Sequence, residues 1–151
     1  MSLAIVASRA LAGIDAPEVT VEAHLANGLP AFTLVGLPDT EVKESRERVR
    51  AAISLAGFEF PNRRITVNLA PADLPKDSGR FDLAIAIAVL AASGQIAADR
   101  LGEVELAGEL ALNGNLRPVR GALVMALAAR RAGRSWILPA GAATEATRLS
   151  G

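Results

Sequence analysis

The sequence predicts an α+β domain built on a mixed sheet, and three observations carry that prediction. Segments of strand type and helix type interleave without a regular β-α-β rhythm. Strand candidates alternate apolar and polar residues, as expected for a sheet with one covered face. The 151 residues are 51% hydrophobic and 21% charged, which suits one domain burying roughly 70% of its unfolded surface and excludes a disordered chain.

The elements follow in order. Leu3 to Val6 is a short apolar strand. Val19, Val21, Ala23 and Leu25 alternate with Thr20, Glu22, His24 and Ala26, the period of a half-buried strand. The turn dipeptide Asn27-Gly28 then leads into Ala31 to Leu37 as a returning strand. Asp39 is placed to cap a helix over 40–56, with Val42, Val49, Ala52, Ile53 and Ala56 on one face. Lys43, Glu44, Glu47, Arg48 and Arg50 take its other face, and Gly57 stops it. Ile65 to Leu69 forms a strand, followed by a polar loop from Ala70 to Gly79. Asp82 to Ser93 reads as a buried helix: its alternating Leu83, Ile85 and Ile87 would also suit a strand, but length and alanine content favour the helix. Glu103 to Ala107 and Glu109 to Leu112 are strand segments turned by Asn113-Gly114-Asn115. A helix over 119–132, a strand Trp136 to Leu138 and a helix beginning at Gly141 complete the order.

Composition narrows the function. Sixteen basic and sixteen acidic residues cancel, so no global field draws the chain to nucleic acid and any such contact needs a local patch. Cysteine is absent, which excludes disulfides and thiolate metal sites. Tyrosine is absent and tryptophan occurs once, leaving little for base stacking. The opening segment lacks the basic stretch of a signal peptide, and the longest apolar run, Leu83 to Ala92, is half the roughly 20 residues a membrane span needs. A cytoplasmic address and no membrane partner are expected. No G-x-x-x-x-G-K-[S/T] phosphate loop occurs, so the chain alone is not expected to hydrolyse nucleotides. His24, the only histidine, excludes a multi-histidine metal site and reads as a solvated side chain on a strand.

Two segments carry chemistry. Leu74 to Leu83 is a loop running into the buried helix; Gly108 to Gly121 is a hairpin running into another. Each sets charges beside a helix N-terminus, where backbone N–H groups can bind anions. Each also reads plainly, with Asp residues capping and Arg residues in water. Together they resemble the Lon-type peptidase domain. Aligned on Pro75-Lys76-Asp77, the position of the nucleophilic serine falls on Arg80; aligned on Gly108-Glu109 and Pro118-Val119, that of the catalytic lysine falls on Leu123. Arginine cannot attack and leucine cannot take a proton, so the resemblance implies a Lon-like fold without peptidase activity. A substitute dyad of Ser78 and Lys76 lacks an oriented base.

The string Leu69 to Leu83, with Ser8 to Ala52 and Ile137 to Ala146, is similar to the N-terminal, ChlI-like domain of the ComM/YifB family of magnesium-chelatase-like proteins. That similarity covers the whole chain and implies that residues 1–151 are one non-catalytic domain of a longer protein. An AAA+ ATPase module, binding ATP and Mg, would follow it, and the whole would assemble as a ring, expected to be a hexamer. The family activity implied is ATP-driven DNA branch migration in natural transformation. Lys76, Arg80, Arg117 and Arg120 flank the two segments and are the candidate DNA contacts, with Arg130, Arg131 and Arg134 as a second location. No catalytic residue, metal or cofactor is expected in this chain. The competing expectation is a protein-interaction or oligomerisation scaffold with no DNA binding of its own.

Overall fold

Alternation along the strands decides which face of the sheet is covered. In the computed structural model, which describes residues 2–12, 15–119 and 121–137, Val19, Val21, Ala23 and Leu25 of β2 (Glu18–Ala26) are all buried and the residues between them are not. Val6 of β1 (Ser2–Arg9), Phe32 and Leu34 of β3 (Ala31–Val35), and Ile65, Val67 and Leu69 of β4 (Arg64–Ala70) fill the same face. After β5 (Val104–Leu106), a two-stranded ribbon of β6 (Glu109–Leu110) and β7 (Leu116–Arg117) stands apart. The last described strand, β8 (Ser135–Ile137), closes a six-stranded sheet in the order β3-β4-β2-β1-β5-β8. Pairings β1–β2 and β2–β4 are antiparallel, whereas β3–β4, β1–β5 and β5–β8 are parallel, so the sheet is mixed as the sequence predicts.

One expected pairing is overturned. β3 does not return along β2 after Asn27-Gly28; β4 lies between them, antiparallel to β2 and parallel to β3. The chain leaves β3 through α1 (Thr40–Lys43) and α2 (Ser45–Leu55) before entering β4, which makes a crossover rather than a hairpin. β4 matches β2 from Thr20 to Ala26 without a break, a longer ladder than the five residues of β3 could form.

The helices cover the apolar face. The helix expected over 40–56 is divided at Glu44; Asp39 caps its first part, its Oδ1 accepting from the Val42 N–H at 2.8 Å. Val42, Val49, Ala52 and Ile53 point inward as the pattern requires. Helix α3 (Asp82–Ala92) lies across β1 and β2 and beside α2, and its Ala84, Ala86 and Ala88 permit that close approach. Helix α4 (Ala122–Arg131) is shorter than expected and buries Met125 against Ala16 and Ala107. The opposite sheet face carries exposed Leu3 and Ile5 and half-buried His24, which sits between Leu3 and Thr66. The helix expected from Gly141 lies outside the described residues. Among the described residues, no helix is long and apolar enough to cross a membrane.

Candidate functional site

The loop before α3 is pinned from beneath by a lysine. Lys76 has no solvent exposure. Its backbone N–H donates to the Leu37 carbonyl at 3.1 Å and its own carbonyl accepts from the Asp39 N–H at 3.0 Å, tying the loop to the end of β3. The side chain repeats the tie: Nζ donates to the Gly36 carbonyl at 2.6 Å and to the Pro71 carbonyl. Burial holds the Lys76 pKa below its ordinary 10.5, with the Asp73 charge opposing the shift. Glycine is required at 36 by the neighbouring strand, because a Cβ there would stand 2.1 Å from the Leu69 carbonyl oxygen of β4 and φ is +106°.

The first turn of α3 holds the second set of charges. Asp82 is buried, and its carboxylate accepts three hydrogen bonds: from Arg48 Nε at 2.6 Å, from Arg48 Nη2 at 3.1 Å and from the Leu110 N–H at 3.0 Å. The Asp82 hydrogen bond, and after it the opposing cost of burial, set the Arg48 pKa, which rises above its ordinary value. The Arg80 carbonyl accepts from the Gly108 N–H and the Gly108 carbonyl from the Leu83 N–H, each at 3.0 Å, so β6 is stitched to the head of α3. Arg80 itself is 3% exposed; Nε donates to Ser78 Oγ at 3.1 Å and Nη1 approaches Met125 Sδ at 3.4 Å. Ser78 adopts a positive φ of 65°, which turns its hydroxyl onto that guanidinium. A cleft of about 150 Å³ opens above, lined by Glu41, Ser78, Arg80, Glu109 and Pro118.

Geometry therefore separates the four cations picked out from the sequence. Lys76 and Arg80, expected to face a phosphate backbone, lie below the surface with their donors turned inward. Arg117 on β7 is exposed, and Arg120 lies outside the described residues. Arg130 and Arg131 are exposed at the end of α4, and Arg134 pairs with Glu18 and with Glu105. Among the described residues, no group of three or more His, Asp or Glu side chains could hold a metal ion.

Two charge clusters escaped the sequence reading. Arg9 forms a bidentate pair with Glu105 at 2.7 and 2.8 Å, joining residues 96 positions apart. Arg48 meets Asp82 across 34 positions, although its spacing had placed it on the solvated face of α2. The one local signal was Asp82 itself, an acid opening an otherwise apolar helix.

The mixed-sheet α+β scaffold is of the Lon-like class. Residues 21–142 match the family model of subunit ChlI of Mg-chelatase, and the chain belongs to that family. Within it, the chain is 57% identical over 150 residues to the uncharacterized protein YifB of Salmonella typhimurium and 56% identical over 150 residues to competence protein ComM of Haemophilus influenzae. Each alignment takes in 99% of this chain and 30% of the relative, so the chain spans about a third of the length of these curated relatives. A Lon protease of Mycolicibacterium smegmatis is 31% identical over 136 residues, covering 85% of this chain and 17% of its own length.

Proposed function

We propose that this chain is the non-catalytic, DNA-contacting and ring-assembly domain of a ComM-type AAA+ motor that drives branch migration in natural transformation. The observation that carries the reading is the head of α3. Where the Lon resemblance assigns a nucleophile stands Arg80, whose guanidinium donates to Ser78. A guanidinium stays charged and cannot accept the serine proton. Lys76, the other half of any substitute dyad, donates to two backbone carbonyls instead. A fold kept without its chemistry is kept for contact. The competence protein relative, similar over 99% of this chain, supplies the setting. ATP and Mg belong to the AAA+ module; the proposed phosphate contacts are Arg117, exposed on β7, and Arg120, three positions on in the sequence.

The test uses the full-length protein, ATP, Mg and a synthetic four-way DNA junction. ATP-dependent migration is expected, slowed about tenfold when Arg117 and Arg120 are both changed to alanine, the size of losing one or two charge-assisted phosphate contacts. No migration under any condition would sink the motor assignment. Labelling of Ser78 by a serine-reactive probe would sink the non-catalytic one. The scaffold reading draws on a different observation: Glu41 and Glu109 line the cleft, Lys76 is withdrawn from it, and Arg80 at its wall turns Nε to Ser78 and Nη1 to Met125. A defined oligomer by sedimentation, with no DNA binding by that oligomer at low salt, would select it.

A further inference from the structure

Arg9, Arg48, Arg100 and Arg134 each pair with a carboxylate. Among the described residues, Arg46, Arg50, Arg63 and Arg64 pair with none, although Glu47 and Glu59 lie close by in sequence. Arg46, Arg50 and Arg63 lie at one end of the molecule, where α2 passes the edge strand β3 and the chain enters β4, while Arg64, next to buried Ile65, is exposed on the other sheet face. Arg46 is fixed there by Nε donating to the Lys43 carbonyl at 3.1 Å and Nη1 to the Phe32 carbonyl at 3.4 Å. Arg46 and Arg50, four residues apart within α2, lie in one stripe, and Lys43 ends α1 just before it.

At the end of the stripe is a built cleft. The Arg50 guanidinium carbon lies 4.2 Å from the centre of the Phe60 ring, and Phe60 packs on Phe32 with centroids 5.4 Å apart. Gln95 clamps the segment: its Oε1 accepts from the Glu59 N–H at 2.9 Å and its Nε2 donates to the Glu59 carbonyl at 2.8 Å. The cleft holds about 160 Å³ and is lined by Pro30, Ala31, Arg50, Phe60, Asn62 and Arg63. Arg63 Nε is buried there without a hydrogen-bond acceptor, while its Nη2 reaches Asn27 Oδ1 at 3.5 Å. The Arg50 guanidinium at the cleft has no hydrogen-bond acceptor among the described residues, and a tetrahedral oxyanion seated there would supply one.

We propose that this cleft seats a backbone phosphate of single-stranded DNA, with Arg50 and Arg63 as its donors and Arg46 and Lys43 receiving the neighbouring phosphate. The inference rests on the DNA-contact reading above and gives it a surface that reading did not name. Phe60 already carries Arg50 on one face, so recognition is through phosphate, independent of base sequence and sensitive to salt.

The test is fluorescence anisotropy of the whole chain with labelled oligothymidylate across a salt series, for wild type, Arg50→Gln, Arg63→Gln and Arg63→Lys. Each glutamine variant is expected to weaken binding about fivefold and to lower the slope of log K against log salt by about 0.7, one single-strand phosphate. Arg63→Lys should keep the slope. Unfolding in urea should be unchanged, which separates lost contact from lost fold. Wild-type binding that both glutamine variants retain would overturn the cleft and leave the DNA-contact reading standing. No oligonucleotide binding by wild type would overturn both. A polyglutamate peptide binding as tightly as the oligonucleotide would overturn the choice of nucleic acid. Inorganic phosphate, titrated alone, should shift the Arg63 side-chain NMR signals; their failure to move would remove the oxyanion site itself.

Discussion

Two arginines two positions apart in α2 are put to opposite uses. Arg48 turns toward α3 and closes on a buried aspartate at 2.6 Å, with its side chain 16% exposed. Arg50 lies in solvent on the Phe60 ring with no carboxylate beside it. Residue type is the same, and so are the helix and the local charge density. Helical phase alone separates them, by about 200° at 3.6 residues per turn. The head of α3 consumes its charges internally, in Asp82, Arg48, Lys76 and Arg80, whereas the β3 edge leaves its charges to whatever approaches. A basic residue beside a cleft is thus no guide to binding until its donors are traced.

The largest effect should come from unbalancing the inner cluster. Asp82→Ala leaves Arg48 and the Leu110 N–H without their acceptor and should cost about 3–5 kcal/mol in urea unfolding. The paired replacement Arg48→Met with Asp82→Leu should recover much of that loss, because a buried pair contributes less than one broken half costs. Recovery absent in the double variant would mean that the pair does more than neutralise itself.

Lys76→Met comes next. It strands the Gly36 and Pro71 carbonyls and should cost about 1–3 kcal/mol. It should also change the pH dependence. Burial lowers the folded-state pKa of this lysine, so between that value and 10.5 the unfolded chain binds the extra proton. Wild-type stability therefore rises with pH across that window and is complete above it. Comparing unfolding midpoints at neutral pH and just below 10.5, the advantage of wild type over Lys76→Met should grow. A gap that shrinks would reverse the sign of the burial effect. The smallest effect belongs to the β3 edge, where Arg50→Gln and Arg63→Gln should stay within about 0.5 kcal/mol of wild type.

Legibility in the sequence divides along the same line. The period-2 pattern of β2 and the Asp39 cap are local, and both stand where the residues put them. Pairing of β3 with β4 is not local: Ala31 meets Arg64 across the whole α1–α2 crossover, and the turn dipeptide at Asn27-Gly28 pointed to a nearer partner. Likewise Arg48 looked solvated because its partner lies on another helix, and Lys76 looked available because its acceptor at Gly36 lies 40 positions earlier in the chain. The resemblance found the fold and the relatives; it could not say which cations face outward. A signal for the β3 edge was present in Arg46, Arg50 and Arg63 on either side of Phe60 in the sequence, but only the crossover brings them to one place.

The measurement that tests this division most directly makes the same substitution at the two neighbouring positions. Arg48→Gln and Arg50→Gln are compared for oligothymidylate affinity at low salt and for urea unfolding. Arg48→Gln should lose about 3 kcal/mol of stability and bind DNA as wild type does while folded. Arg50→Gln should keep its stability and lose about fivefold in affinity. Equal loss of affinity in both variants, or a stability loss confined to Arg50→Gln, would contradict the account.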